Sequence, residues 1–463
     1  MEYMHDYIIV GSGASGGFLA GNLHKTGADV LLIEAGKAYN KKNFPNNEMR
    51  GSAELYWGGG FEFDSEAKTA YLRSRCLGGT TIVNQALLDR FDEDVFDDWK
   101  SRTGISWMNL SDLEDSYDAI EHGMKLKTFE EKDMNNNARL FKMACEKLGY
   151  DWKFLRRGQD DCALEKGNDC IACLNGCHRD SKQSTWVTSL QNAIQNGLQV
   201  QSETEVLSVE HHADFCKVHA ITPQGKIALK CRKLILAAGS FGTTQILLRS
   251  GFDKKLPALG KGFCQHPQFM FFGVFDDVVD GYKGAFQTLA SGKHPFRKMG
   301  FKLEVVYAPP ISAGMLLNTF GADFQAQMLH YRNMSSIEVA VRDEPDGGRL
   351  RINNKGRLIV EKHLTQQDKS RKAAGAEMLK QIFMAQGAKE ILESPFFFGL
   401  HLMGGCAIGT SGNQSVVNPD FQIHDMPHIL IADSSIFPSA PGINPSLSVM
   451  AFSHRLFKQL NHS

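Results

Sequence analysis

Residues 11–16 read GSGASG, directly after the apolar run Tyr7 to Val10 and directly before small residues that reach Leu23. Strand, glycine turn and helix in that order form a dinucleotide-binding unit. Gly11 permits the tight turn, Gly13 lets a pyrophosphate approach the backbone, and Gly16 lets the helix pack on the strand. Amides at the helix start then face the phosphates with the favourable end of the helix dipole. The next apolar run, Val30 to Ile33, closes on Glu34, 18 residues after Gly16, where a carboxylate can accept ribose hydroxyls. This pattern does not distinguish NAD from FAD.

Two further segments repeat the βα signature. One is KLILAAGSFGTTQILLRSG, from Lys233 to Gly251, and the other starts at HILIADSSIFPSAPGINPS near residue 430. Together they predict an α/β fold with one parallel, Rossmann-like sheet built from separated segments. Period-2 runs at Phe269 to Phe275, Phe301 to Tyr307, Ser336 to Val341 and Leu350 to Ile352 predict an antiparallel sheet in an α+β substrate domain. A polar-faced helix is expected near 366–392. The expected division is 1–95, 186–265 and 401–463 for the nucleotide domain, 96–185 for an inserted loop and helix region, and 266–400 for the substrate domain. A chain of 463 residues exceeds what one core usually supports, which agrees with this division.

A net charge of −1 gives no electrostatic reason to expect nucleic acid or an anionic membrane as partner. No apolar run reaches the length of a membrane helix, and residues 1–17 lack the pattern of a signal peptide. A cytoplasmic location is therefore expected, with export alongside a partner left open. Four of the ten cysteines, Cys162, Cys170, Cys173 and Cys177, fall within one polar loop. Without an export signal, metal binding is as natural a reading as pairing or packing.

Five ordered segments carry a family resemblance: the N-terminal turn, RSRCLGGTTIVN (Arg73 to Asn84), KLILAAGSFGTTQILLRSG, LGKGFCQHP (Leu259 to Pro267) and HLMGGCAIG…HILIADSSIFPSAPGINPS. The chain resembles the glucose–methanol–choline (GMC) oxidoreductases, on the side of the cholesterol oxidases and long-chain alcohol oxidases. The resemblance implies FAD in an extended form beneath a substrate sheet. It places Gly78, Gly79 and Asn84 along the ring and pyrophosphate, Val206 by the adenine and Asp433 at the ribityl or pyrophosphate part. Residues 270–395, where specificity would reside, lie outside it.

By the same resemblance His401 is the catalytic histidine and Asn444 its partner. Alcohol oxidation needs loss of the hydroxyl proton and hydride transfer from the same carbon to flavin N5. A neutral imidazole suits the first task as base, and a carboxamide can hold the substrate oxygen. Asn444 followed by Pro445 also reads as a helix cap with proline at the first helical position. Cholesterol oxidases add a glutamate from the substrate sheet, and both Glu304 and Glu338 lie in suitable strands. The cysteine run resembles the iron–sulfur loop of membrane-linked sugar dehydrogenases and a loop of long-chain alcohol oxidases. The main expectation is FAD-dependent oxidation of a small-molecule alcohol, with oxygen, a protein or a quinone as acceptor. Alternatives are a non-redox lyase on this fold and a non-catalytic flavin or electron-transfer subunit.

Overall fold

A computed structural model describes residues 3–164, 170–317 and 319–462. The first strand, His5–Val10, lies in the middle of a sheet because its apolar side chains are covered on both faces. Its neighbours are Gly225–Leu236 on one side and Val30–Ile33 on the other. Met426–Ile431 and Gln199–Gln201 extend the sheet outward, and all five strands run parallel. The register sets Val10 beside Ile33 and Leu236, so the strand ends carrying the glycine turn, Glu34 and Ala237 finish at one edge. The helix Gly16–Lys25 follows the turn, and the C-terminal helix Ser446–His462 packs against it. Between them, 205–222 form an antiparallel ribbon on the long strand Gly225–Leu236.

The second sheet has eight strands, in the order Glu62–Phe63, Thr69–Tyr71, Glu390–Gly399, Pro267–Val274, Met334–Val341, Phe301–Val305, Leu289–Ser291 and Trp152–Phe154. It is antiparallel except where Thr69–Tyr71 runs beside Glu390–Gly399. Its two faces differ. Phe269, Phe271, Leu303, Ile337 and Val339 point to one side and pack against the helices Asn136–Leu148 and Gln366–Gln386. Each such side chain removed from water stabilises the fold by about 1.5–3 kcal/mol. The alternate residues Gln268, Met270, Glu304 and Glu338 face a cleft between the sheets.

Leu350 to Ile352, expected in this sheet, instead pair with Leu358–Lys362 as a separate hairpin. The expected helix near 366–392 ends earlier. Gly387 caps it at φ +87, and the chain re-enters the sheet at Glu390. Glycine takes that left-handed cap without the Cβ clash other residues meet. The short strands at 62–71 and 152–154 join the second sheet from outside 266–400. Among the described residues no helix is long and apolar enough to cross a membrane.

Candidate active site

One cleft of about 570 Å³ runs from the glycine turn to the second sheet. Gly11, Gly13, Glu34, Gly79, Asn84, Val206, Asp433, Asn444, Pro445 and His401 all line it, together with Glu304 and Glu338. Gly16 and Gly78 lie behind its surface. A Cβ on Gly16 would sit 1.9 Å from the carbonyl oxygen of Gly11, so its glycine serves the turn's own packing. Gly11 is equally constrained, at φ +95 with Ala237 O 2.4 Å from a built Cβ. Gly13 differs, because its Cβ would meet no protein atom closer than Gly79 Cα at 4.0 Å. Space kept open there suits a group that enters the cleft.

Hydrogen bonds tie three motifs together at this end. Gly78 N–H donates to Ser12 Oγ at 2.8 Å, and that hydroxyl donates to Glu34 Oε2 at 2.6 Å. Glu34 also accepts the N–H groups of Ser12 and Gly36. Burial pushes its carboxyl up against these bonds. Asp433 joins the end of the strand Met426–Ile431 to the helix Gly239–Arg249, accepting from Gly239 N–H, Thr243 Oγ and Ser435 N–H. Burial raises its carboxyl also. Asn84 Oδ1 accepts the N–H of Ala86.

At the other end the backbones of Cys264 and Met403 exchange two hydrogen bonds, each 2.9 Å. That bridge sets His266 and His401 side by side, with their Nδ1 atoms 2.9 Å apart. The N–H of Gly442 donates to His266 Nε2 at 2.8 Å. His266 therefore carries its proton on Nδ1 and donates it to His401 Nδ1. His401 in turn holds its own proton on Nε2, the nitrogen left to the cleft. Burial drives both imidazoles toward the neutral form. Aided by Lys302, it takes His401 down to about 3, and with His401 beside it His266 falls well below the usual range.

Asn444 does not close its helix as expected. The first bond of that helix runs from Val449 N–H to Pro445 O, one residue later than a cap at Asn444 requires. The Asn444 Oδ1 instead accepts from Lys302 Nζ at 3.2 Å, a charged donor stronger than a backbone amide. Its carboxamide nitrogen is thereby left to the cleft. Lys302 also pairs with Glu304, whose Oε1 accepts from Gln287 Nε2 at 2.7 Å. Glu304 and Glu338 stand directly opposite each other on adjacent strands. Burial and the facing Glu304 push the Glu338 carboxyl up, while Lys302 restrains the rise. Burial pulls the Lys302 ammonium down, and Glu304 more than reverses it.

Lys302, His266 and Gln287 escaped the sequence reading. In FKLEV Glu304 was a candidate, and Lys302, two residues before it on the same face of the strand, carried no motif that would select it. His266 stood within a recognised motif and lacked only a reason to be chosen.

The cysteine loop gives an iron–sulfur cluster no support. Cys162 Sγ meets Ser181 Oγ at 3.1 Å, and the Cys177 sulfur accepts the N–H of Lys182 at 3.5 Å. The Cys170 side chain lies outside the described residues. Among the described residues no group of three or more His, Cys, Asp or Glu is placed to hold a metal.

Sequence profiles of the GMC oxidoreductases match residues 52–268 and 347–453. The long-chain-alcohol oxidase FAO4A of Arabidopsis thaliana is 25% identical over 98% of this chain and 68% of its own length. A cholesterol oxidase of Acinetobacter baumannii is 21% identical over 98% and 94%. Pyridoxine 4-oxidase from Mesorbium loti superposes with a TM-score of 0.76 over 99% of both chains at 16% identity. A variant of the Aspergillus oryzae formate oxidase does so at 0.75, over 100% and 98%, at 15% identity. With both profiles matched in order over most of its length, the chain belongs to the GMC oxidoreductase family, whose members are FAD-dependent enzymes.

Proposed function

We propose that this chain oxidises an alcohol bound between His401, Asn444 and the Glu304–Glu338 pair, with FAD in the cleft and oxygen as acceptor. The observation that carries the reading is the single cleft joining the glycine turn to that polar group. FAD supplies the acceptor of two electrons, taken as hydride at ring N5. Gly11, Gly13, Glu34, Gly79, Asn84, Val206, Asp433 and Pro445 would hold it. The open space at Gly13 and the three motifs bound through Ser12 support that assignment.

The histidine's part follows from its proton. A base facing the substrate needs a bare Nε2, whereas the chain from Gly442 through His266 leaves Nε2 protonated. An imidazole near pKa 3 would also be a weak acceptor of an alcohol proton. His401 and the Asn444 amide therefore act as two donors on the substrate oxygen, stabilising charge that develops there and aiming the carbinol C–H. The hydroxyl proton goes to the Glu304–Glu338 pair, next to the Lys302 ammonium.

The outer cleft favours an alcohol with an apolar body. Phe61, Phe63, Met315, Leu316 and Phe396 line it, and Phe61 and Phe63 remain 41% and 43% exposed. The long-chain-alcohol and cholesterol oxidases among its relatives agree with such a substrate and with oxygen as acceptor. The test is turnover of an alcohol series of increasing chain length, followed as peroxide. Rising kcat/KM with length supports the assignment, and preference for short polar alcohols contradicts it.

A further inference from the structure

The guanidinium of the buried Arg157 serves Gln85 twice. Its Nε donates to Gln85 O at 2.7 Å and its Nη2 to Gln85 Oε1 at 3.0 Å. The backbone brings the two residues together, since Ala86 O accepts the N–H of Gly158 and Arg156 O that of Leu88, each at 2.9 Å. On the other side Asn84 Oδ1 accepts the N–H of Ala86 at 3.0 Å. That bond holds Ala86 at φ +51, where residues with a Cβ are seldom found. Gln85 is thus fixed from both sides at the end of the segment Gly78 to Asn84, and it lines the cleft as Gly79 and Asn84 do.

An arginine has donors only, so the oxygen of the Gln85 carboxamide faces Arg157 and the nitrogen turns elsewhere. That nitrogen, Nε2, is buried and has no hydrogen-bond partner among the described residues. A buried donor left unmade costs more than a typical hydrogen bond gains, and folded proteins keep few of them. Arg157 also polarises the carboxamide through Oε1, which makes its N–H groups stronger donors. The acceptor that completes the set comes from what fills the cleft. Leu87, two residues further on, joins the same apolar cluster as Met270 of the second sheet. Gln85 therefore stands where the nucleotide wall gives way to the substrate wall, beyond the glycine turn that suits the phosphates.

We propose that Gln85 Nε2 donates to an acceptor atom of the flavin ring and so favours the reduced flavin. Two-electron reduction leaves the ring more negative, and a donor already in place stabilises that form more than the oxidised one. The inference rests on the proposed function only for FAD in the cleft, and it needs no alcohol to test.

The midpoint potential of the bound flavin is measured without alcohol, by anaerobic dithionite titration against a reference dye. Gln85→Glu keeps an oxygen for Arg157 and replaces the donor by an acceptor, whereas Gln85→Met removes both at similar length. Gln85→Glu should lower the equilibrium constant for flavin reduction about tenfold, which is about 30 mV for a two-electron couple. Gln85→Met should lower it in the same direction. A variant that releases FAD while its apoprotein melts with the wild type supports the same contact. A potential unmoved in both flavin-loaded variants overturns it, including where the KM for alcohol rises, as for a donor to substrate. So does loss of the folded apoprotein in both, which makes the amide a structural one. A wild type that takes up no FAD overturns the proposed function as well, whereas an unmoved potential overturns this inference alone.

Discussion

His266 and His401 meet through their Nδ1 atoms at 2.9 Å, and the N–H of Gly442 on His266 Nε2 decides which of them donates. The relationship joins residues far apart in sequence and supports reading the catalytic candidate as a donor where the motif alone suggested a base. Substitutions that keep a donor while abolishing basicity separate the two roles.

His401→Ala should slow anaerobic flavin reduction by about 10²–10³, the usual cost of one donor to a developing oxyanion. His401→Gln can present an N–H from a similar position and should recover about tenfold or more of that loss. Stopped-flow absorbance of both variants with bound FAD checks this. Equal loss in both would return the histidine to the role of base.

The carboxyl pair makes the rate depend on pH. Glu338 is pushed up to about 8 by burial and by Glu304. If the pair must accept a proton, flavin reduction should rise as pH climbs toward that value and then level. Glu338→Gln should remove the rise and most of the rate. The same raised carboxyl has a stability sign. Its contribution is complete below the ordinary glutamate range and is lost as pH rises through about 8. Denaturant midpoints of the wild type should therefore fall over that interval more steeply than those of Glu338→Gln.

Lys302 lowers Glu338 and holds the Asn444 oxygen. Lys302→Met should move the midpoint of the rate profile to higher pH and slow reduction at neutral pH. Lys302→Arg should recover part of both, because a cation is restored. A slower rate with an unmoved midpoint would show that Lys302 acts only through packing.

The two glycines of the turn should separate folding from cofactor binding. Gly16→Ala forces a Cβ onto the Gly11 carbonyl and should destabilise even the apoprotein by about 1–3 kcal/mol. Gly13→Ala meets no protein atom closer than Gly79 Cα at 4.0 Å, so apoprotein stability should change by less than about 1 kcal/mol. Its FAD occupancy should nevertheless drop. Denaturant melts of the apoproteins and flavin content of the purified variants measure the two effects.

The parallel sheet was legible because its strands are continuous apolar runs ending in glycine turns, a local signal at Tyr7–Val10 and again before Gly239. The early strands at 62–71 and the segment 152–154 were not, since two or three residues carry no period and their partners are remote in sequence. His401 and Asn444 were singled out through motif and both line the cleft, yet the hydrogen bonding that sets the proton on His401 was invisible there. It depends on Gly442 and His266, which approach only in the fold. Lys302 was hidden by a sound rule, because alternating charge on a strand normally faces water and here its ammonium turns to Asn444 and Glu304.

The most direct test of the account is an anaerobic titration of the FAD-loaded protein with a long-chain alcohol, followed by the visible absorbance of the flavin. The account predicts bleaching to the fully reduced flavin with one equivalent of aldehyde or ketone formed, then recovery of colour on admitting oxygen with one equivalent of peroxide. Flavin that binds fully yet stays oxidised with every alcohol offered would contradict it.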